Sequence, residues 1–122
     1  MKTTYQTGVS GEKAAEEYLC SEKHMKVIAR RYRVKCGEID LIMLDGDYIV
    51  FTEVKTRLSA YAGYGLAAVD ARKQKRLSQA ARIWLMTNGA MNSPVRFDVV
   101  EVNSSGIIHI PDAFQPGGMF FH

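Results

Sequence analysis

Apolar and polar positions change period several times along the chain, and each change marks an expected element. From Ser10 to about Lys23, Ala15, Tyr18 and Leu19 recur at helical spacing behind a serine able to cap a helix. KVIARRYRV (26–34) is β-branched and basic, the composition of an edge strand. Two further strands, about 38–44 and 48–55, flank Asp45-Gly46-Asp47, and Asp-Gly between apolar runs signals a hairpin. LSAYAGYGLAAV (58–69) has no clear period and reads as a loop. Asp70 then caps a helix over about 71–88, which buries Leu77, Ala80, Ala81, Trp84 and Leu85 and ends at Gly89. VRFDVVEV (95–102) and IIHI (107–110) read as strands around Asn103-Ser104-Ser105-Gly106, and 111–122 as an irregular tail. The order α-β-β-β-α-β-β predicts one domain over 1–122, with its core at about 8–110. Its expected class is α/β or α+β, with a mixed central sheet flanked by helices.

Composition narrows the class without naming a function. Apolar residues make up 47% of the 122 and charged residues 24%, which is ordinary for a globular protein. No run approaches the ~18 apolar residues that span a bilayer, and MKTTYQTGVSGEKAAEEYL has no export signal, so a cytoplasmic protein without membrane contact is expected. Cys20 and Cys36 form no C-x-x-C pair and read as reduced thiols. The net charge of +3 is small, but its distribution is uneven. Lys23–Lys35 and Arg72–Arg82 together hold 11 of the 16 basic residues and no acid. Such stretches suit a polyanion, or they protect a sheet edge and solvate a helix face.

GEIDLIMLDGDYIVFTEVKTR (37–57) raises the chemical question, because two buried-looking strands carry Glu38, Asp40, Glu53 and Lys55. Side chains alternate across a strand, so Glu38, Asp40, Ile42 and Leu44 share one face, and Ile49, Phe51, Glu53 and Lys55 another. A two-residue Asp45-Gly46 turn pairs Asp40 with Phe51 and Glu38 with Glu53, making Asp40 and Glu53 diagonal neighbours. Their Cα atoms are then roughly 7–8 Å apart, a span two carboxylates bridge by gripping a cation. A three-residue loop puts them on opposite faces. Two or three carboxylates facing one lysine make a negative cluster, and oxygen ligands without histidine or thiolate suit Mg²⁺ or Mn²⁺. The structural alternative is a salt-bridged cluster neutralised by Lys55. Asp98 is expected to pair with Arg96, Trp84 to be core, and His24, His109 and His122 to pack or face solvent. No Walker loop, serine triad or zinc ligand set is present.

An acid on one strand followed by Glu53-Val54-Lys55 on the next resembles the PD-(D/E)-x-K nuclease superfamily. The match widens through Gly11-Glu12, Ala15 and Tyr18-Leu19, then Gly37-Glu38-Ile39-Asp40-Leu41-Ile42 and Phe51 to Arg57. It continues through Lys73, Arg76-Leu77, Ala80 and Arg96-Phe97-Asp98-Val99-Val100. Over roughly residues 8–110 the chain resembles the YraN-like family of small bacterial proteins, similar in fold to archaeal Holliday junction resolvases. That resemblance implies a restriction-endonuclease-like fold and a metal-dependent endonuclease that hydrolyses DNA, branched or otherwise structured, in preference to RNA. Asp40 and Glu53, with the Val54 backbone carbonyl, would hold one or two Mg²⁺ or Mn²⁺ ions. Lys55 would orient or deprotonate the attacking water, and Glu12 would meet a metal-bound water or a second ion. Thr56, Arg57 and Lys73, with Arg31, Arg33 and Arg76, are the expected nucleic-acid contacts. Symmetric cutting of a junction by so small a chain calls for a homodimer. The alternative is a non-catalytic nucleic-acid-binding or protein-interaction module that keeps the nuclease fold.

Overall fold

The structure is a computed structural model and describes residues 4–57 and 69–116. The element order is α1 (Thr4–Glu22), β1 (Lys26–Val34), β2 (Gly37–Asp45), β3 (Tyr48–Thr56), α2 (Ala71–Thr87), β4 (Val95–Asn103) and β5 (Gly106–Phe114). The five strands form one sheet in the order β1-β2-β3-β4-β5. Neighbours are antiparallel except β3 and β4, which run parallel. A parallel pair needs a long crossover, and α2 lies within it. The fold is therefore the mixed, helix-flanked sheet that the pattern predicts.

Each face of the sheet has its own helix and its own core. α1 packs Ala15 and Leu19 with Leu41, Met43, Val50, Val54 and Val100. α2 packs Leu77, Ala80, Ala81, Trp84 and Leu85 with Ile39, Ile42, Ile49, Phe51, Phe97 and Val99. On the α2 side an aromatic row crosses the sheet. Trp84 meets Phe51 edge-on at 6.0 Å, Phe51 lies 5.5 Å from Phe97, and Phe97 stacks on Phe114 at 4.9 Å. β3 is central and buried from Ile49 to Val54, which explains why its sequence is apolar on both faces.

Three expectations need correction. α1 begins at Thr4, so Ser10 lies inside the helix and is not its cap; tertiary packing of the following turns overrides a local capping signal. The hairpin turn is Gly46-Asp47, not Asp45-Gly46, because β2 keeps Asp45 paired with Tyr48. Gly46 takes the positive φ (60°) that a two-residue hairpin turn requires at its first position. The supposedly irregular tail also starts later, since β5 continues to Phe114. A register shift opposite Asp98 and a left-handed Asp112 (φ 51°) carry the strand past Pro111. Most of the expected 58–69 loop, residues 58–68, lies outside the described residues, as do 117–122.

Two glycines set how closely the helices approach. A Cβ on Gly11 would collide with Thr56 Oγ1, so α1 comes down directly onto the end of β3. A Cβ on Gly37 would meet the Arg76 carbonyl oxygen at 2.9 Å, so α2 crosses the start of β2 just as closely. Both helices are thus drawn toward the same end of β2 and β3, where the charged residues sit.

Candidate active site

At Asp40 the sheet loses regularity on both sides. The β2–β3 ladder runs from Asp45↔Tyr48 to Leu41↔Thr52. One step further, the Val54 amide donates to Asp40 Oδ2 at 2.8 Å. Toward β1, Arg30 pairs with Leu41 and Tyr32 with Ile39, while Arg31, between them, has φ 51°. A left-handed arginine costs on the order of 1 kcal/mol or more and persists only where its surroundings impose it. The alternation of faces also breaks here. Ile39 and Ile42 both pack in the α2 cluster, whereas Leu41 and Met43 pack in the α1 cluster. Simple alternation from Glu38 to Leu44 therefore fails at Asp40, whose carboxylate takes over a backbone donor that the ladder would otherwise use.

Glu53 is the second carboxylate, and it is only 5% exposed. The hairpin register, which runs to Leu41↔Thr52, ends one step before Asp40 and Glu53, and the two carboxylates are near enough to interact by charge. The turn has the even length that the hairpin reading requires. Two ammonium groups converge on Glu53 Oε1: Lys73 Nζ at 2.9 Å and Lys55 Nζ at 3.4 Å. Lys55 follows Glu53 by two on β3. Lys73 arrives from the first turn of α2, whose start is fixed by Asp70 accepting the Lys73 amide at 2.9 Å.

Glu12 and Glu38 complete the rim. Glu12, the residue after Gly11, pairs with Arg31 at 2.8 Å, and Glu38 pairs with Arg33 at 3.4 Å. Both glutamates are near enough to act on Asp40 by charge. Arg57 lies 3.3 Å from the fully buried Glu101, one strand over. Thr56 sits under Gly11, and Arg76 is exposed one helical turn beyond Lys73.

The electrostatics single out Asp40. Burial, then the Glu53 charge, with Glu12 and Glu38 behind it, push its carboxyl up to about 7 against the Val54 hydrogen bond. Among the described residues no lysine or arginine lies within salt-bridge distance of Asp40. Burial and the neighbouring Lys73 hold Lys55 below the ordinary lysine range. Burial opposes the charge of Lys73 too, but the hydrogen bond and charge of Glu53 outweigh it and raise that ammonium.

The donor set suits a hard divalent cation completed by outside ligands. Among the described residues no three acidic, histidine or cysteine side chains form a ready-made metal cage. Asp40 and Glu53 lie near enough to act on each other by charge, and burial with the Glu53 charge lets Asp40 keep its proton to about neutral pH. Mg²⁺ and Mn²⁺ are commonly held by one or two carboxylates with water and phosphate oxygens supplying the rest. The site is less negative than the sequence suggests, since Lys73 joins Lys55 and makes two ammonium groups for two central carboxylates. Sequence reasoning placed Lys73 among the phosphate contacts. The Asp70 cap is the signal that would have carried it further, because it fixes where the first helical turn begins.

A second buried cluster lies toward the opposite end of the sheet. Asp98, 1% exposed, takes two hydrogen bonds from Arg96, one from the Asp112 amide and a contact of 2.7 Å from His109 Nε2. Arg96 also reaches Asp45 at 2.9 Å. The expected Arg96–Asp98 pair is present, and His109 is its partner and not a mere packing residue.

This chain is similar to proteins from several bacteria. It is 42% identical over 113 residues to a UPF0102 protein of Geobacter metallireducens, covering 88% of this chain and 91% of that one. It is 47% identical over 95 residues to a UPF0102 protein of Symbiobacterium thermophilum, covering 78% and 80%. Among solved structures it is similar to that of SSO0001, with a TM-score of 0.49 and 15% identity over 93% of this chain and 53% of that one, about half its length. The model of Uncharacterised protein family UPF0102 matches residues 11–102, a span from the Gly11-Glu12 approach of α1 to the end of β4. With this much of its length matched, the chain belongs to UPF0102, the YraN-like family.

Proposed function

We propose that this protein is a metal-dependent phosphodiester hydrolase acting on nucleic acid, with DNA, branched or otherwise structured, as its substrate. One observation carries the reading: Asp40 and Glu53 lie close enough for their charges to interact at a break in the sheet, with Asp40 in no ion pair among the described residues and Glu53 between Lys55 and Lys73. A buried carboxyl pushed up to about 7 in a charged cluster supports a functional site. Restriction to branched DNA rests on fold analogy.

Phosphodiester hydrolysis needs a water in line with the leaving oxygen and positive charge on the phosphate. Asp40 and Glu53, with the Val54 carbonyl, would hold Mg²⁺ or Mn²⁺. When bound, the ion supplies Lewis acidity and a water of lowered pKa. The Val54 amide fixes Asp40, so one carboxylate oxygen stays oriented while the other is available. Lys55, held below the ordinary lysine range, is suited to orienting the attacking water and accepting a hydrogen bond from it when neutral. Lys73 keeps its charge through Glu53 and is suited to a phosphate oxygen. Glu12 reaches the rim from α1 and positions Arg31 through their ion pair.

The test is cleavage of labelled four-way junctions, flaps and plain duplexes with Mg²⁺ or Mn²⁺, beside Asp40→Asn and Lys55→Met. Metal-dependent cleavage lost in both variants supports the reading. The second reading, a binding module that keeps the fold, is favoured by the Lys73–Glu53 contact, which already offsets one carboxylate. Tight junction binding with no cleavage by the wild type under any metal would select it.

A further inference from the structure

The two basic stretches of the sequence look alike as text, yet the structure treats them differently. On β1 the three arginines are each spent on a glutamate: Arg30 on Glu16 at 2.6 Å, Arg31 on Glu12 at 2.8 Å and Arg33 on Glu38 at 3.4 Å. The first two pairs line the groove of about 400 Å³ between α1 and β1, whose walls include Glu12, Glu16, Arg30 and Arg31. A phosphate entering there must compete with carboxylates already in place.

α2 is the opposite case. Its sequence ARKQKRLSQAARIWLMT contains five basic residues and no acid. Arg72, Lys75 and Arg76 are exposed, and none has an ion-pair partner among the described residues. At 3.6 residues per turn these three share one outward face, and Arg76 sits one turn beyond Lys73. Lys73 itself touches Glu53. The uncompensated stripe therefore begins at the candidate site and leads away along the helix. The Arg76 backbone also packs against Gly37, which ties the stripe rigidly to the start of β2.

We infer that the phosphate backbone of a nucleic-acid duplex lies along the outward face of α2, contacting Arg72, Lys75 and Arg76, and that the arginines of β1 are not phosphate contacts. The inference rests on the nucleic-acid reading above and deepens it by naming the surface. Charge complementarity identifies the occupant as a polyanion. A duplex fits better than a single strand because single strands are gripped by stacking bases on aromatic rings. The large apolar side chains exposed on α2 are Ile83 and Met86, and neither is aromatic.

Counterion release gives a direct test. The probe is a fluorescent four-way junction with duplex arms, titrated with full-length protein over a range of salt in EDTA. Two triple variants lower the net charge equally: R72Q/K75Q/R76Q on α2 and R30Q/R31Q/R33Q on β1. The α2 variant should lower the slope of log K against log salt by roughly 2–3, and the β1 variant by less than about 1. Restoring charge with R72K/R76K beside K75Q should recover most of the slope. Glutamine is a good helix former, so circular dichroism should show the α2 variant folded. Equal slope losses in the two triples, or none in the α2 triple, would overturn the inference. A wild type with no salt-dependent affinity would overturn it together with the nucleic-acid reading. Retained α2-dependent binding without cleavage would leave it standing and remove only the catalytic reading.

Discussion

Asp40 is the residue on which the account turns, and its protonation makes a prediction of definite sign. In the unfolded chain its carboxyl has the ordinary value of 3.8, and in the fold about 7. The folded state therefore binds the proton more tightly. The stability this group contributes is complete below about 3.8 and is lost as the pH rises through about 7. Asp40→Asn keeps an oxygen for the Val54 amide and carries no charge. Without metal, it should stabilise the protein at pH 8 by on the order of 2 kcal/mol and flatten the dependence between pH 4 and 7. Thermal melts of the two proteins across that range are the check; a variant no more stable than wild type at pH 8 would show that ionising Asp40 does not destabilise the fold. Asp98 behaves oppositely. Burial alone would raise its carboxyl, but His109 and Arg96 outweigh burial and hold it below the ordinary range. Its stability is present above the unfolded value and lost as the pH falls through the lowered one. Asp98→Asn leaves Arg96 facing only Asp45, and denaturant unfolding should show a loss of about 3–5 kcal/mol. The Arg96–Asp98 pair was legible because residues two apart on a strand share a face. The Asp40–Val54 bond was not, since side-chain alternation describes a regular ladder and this bond exists because the ladder stops.

At the scale of elements, the site depends on two helices brought close by the absence of a side chain. Gly11 lets α1 rest on Thr56, and Glu12 follows it immediately. Gly11→Ala puts a methyl group where Thr56 Oγ1 lies and should cost about 1–3 kcal/mol by overpacking. It should also push Glu12 off the rim. Equilibrium unfolding and cleavage rates, measured together, check both effects, and an alanine variant as stable as wild type would show that α1 has room to spare. Asp70→Ala removes the cap of α2 and should cost about 1 kcal/mol. It also loosens the turn that delivers Lys73 to Glu53. The strands and α2 were legible because their periods are strong, and Asp70, the five residues of α2 expected to be buried and Gly89 stand where the pattern puts them. The start of α1 was not, because Ser10 offers a local cap that packing overrides. The end of β5 was missed for a related reason. Pro111 signals a break, yet an edge strand tolerates proline, and the bulge at Asp112 restores pairing so that Phe114 can stack on Phe97.

For the whole molecule, structure separates what composition merges. A net charge of +3 hides three arginines of β1 paired with glutamates and, on α2, Arg72, Lys75 and Arg76 without ion-pair partners among the described residues. Sequence alone could not tell them apart, because the glutamates that neutralise β1 come largely from α1, up to 19 positions away. Both sheet edges are irregular: β1 shifts register between Val27 and Ala29, and β5 carries Pro111 and the left-handed Asp112. Such edges resist strand addition. None of the helices among the described residues is long and apolar enough to cross a membrane. The central claim is that Asp40 and Glu53 face each other to share a divalent cation. The most direct test is calorimetric titration of Mn²⁺ into the wild type, Asp40→Asn and Glu53→Gln, at pH 6 and pH 8, with and without a non-cleavable junction. Saturable binding is expected for the wild type, tighter at pH 8 because Asp40 must lose its proton, and none for either variant. Wild-type silence even with the junction present, or undiminished binding by both variants, would contradict it.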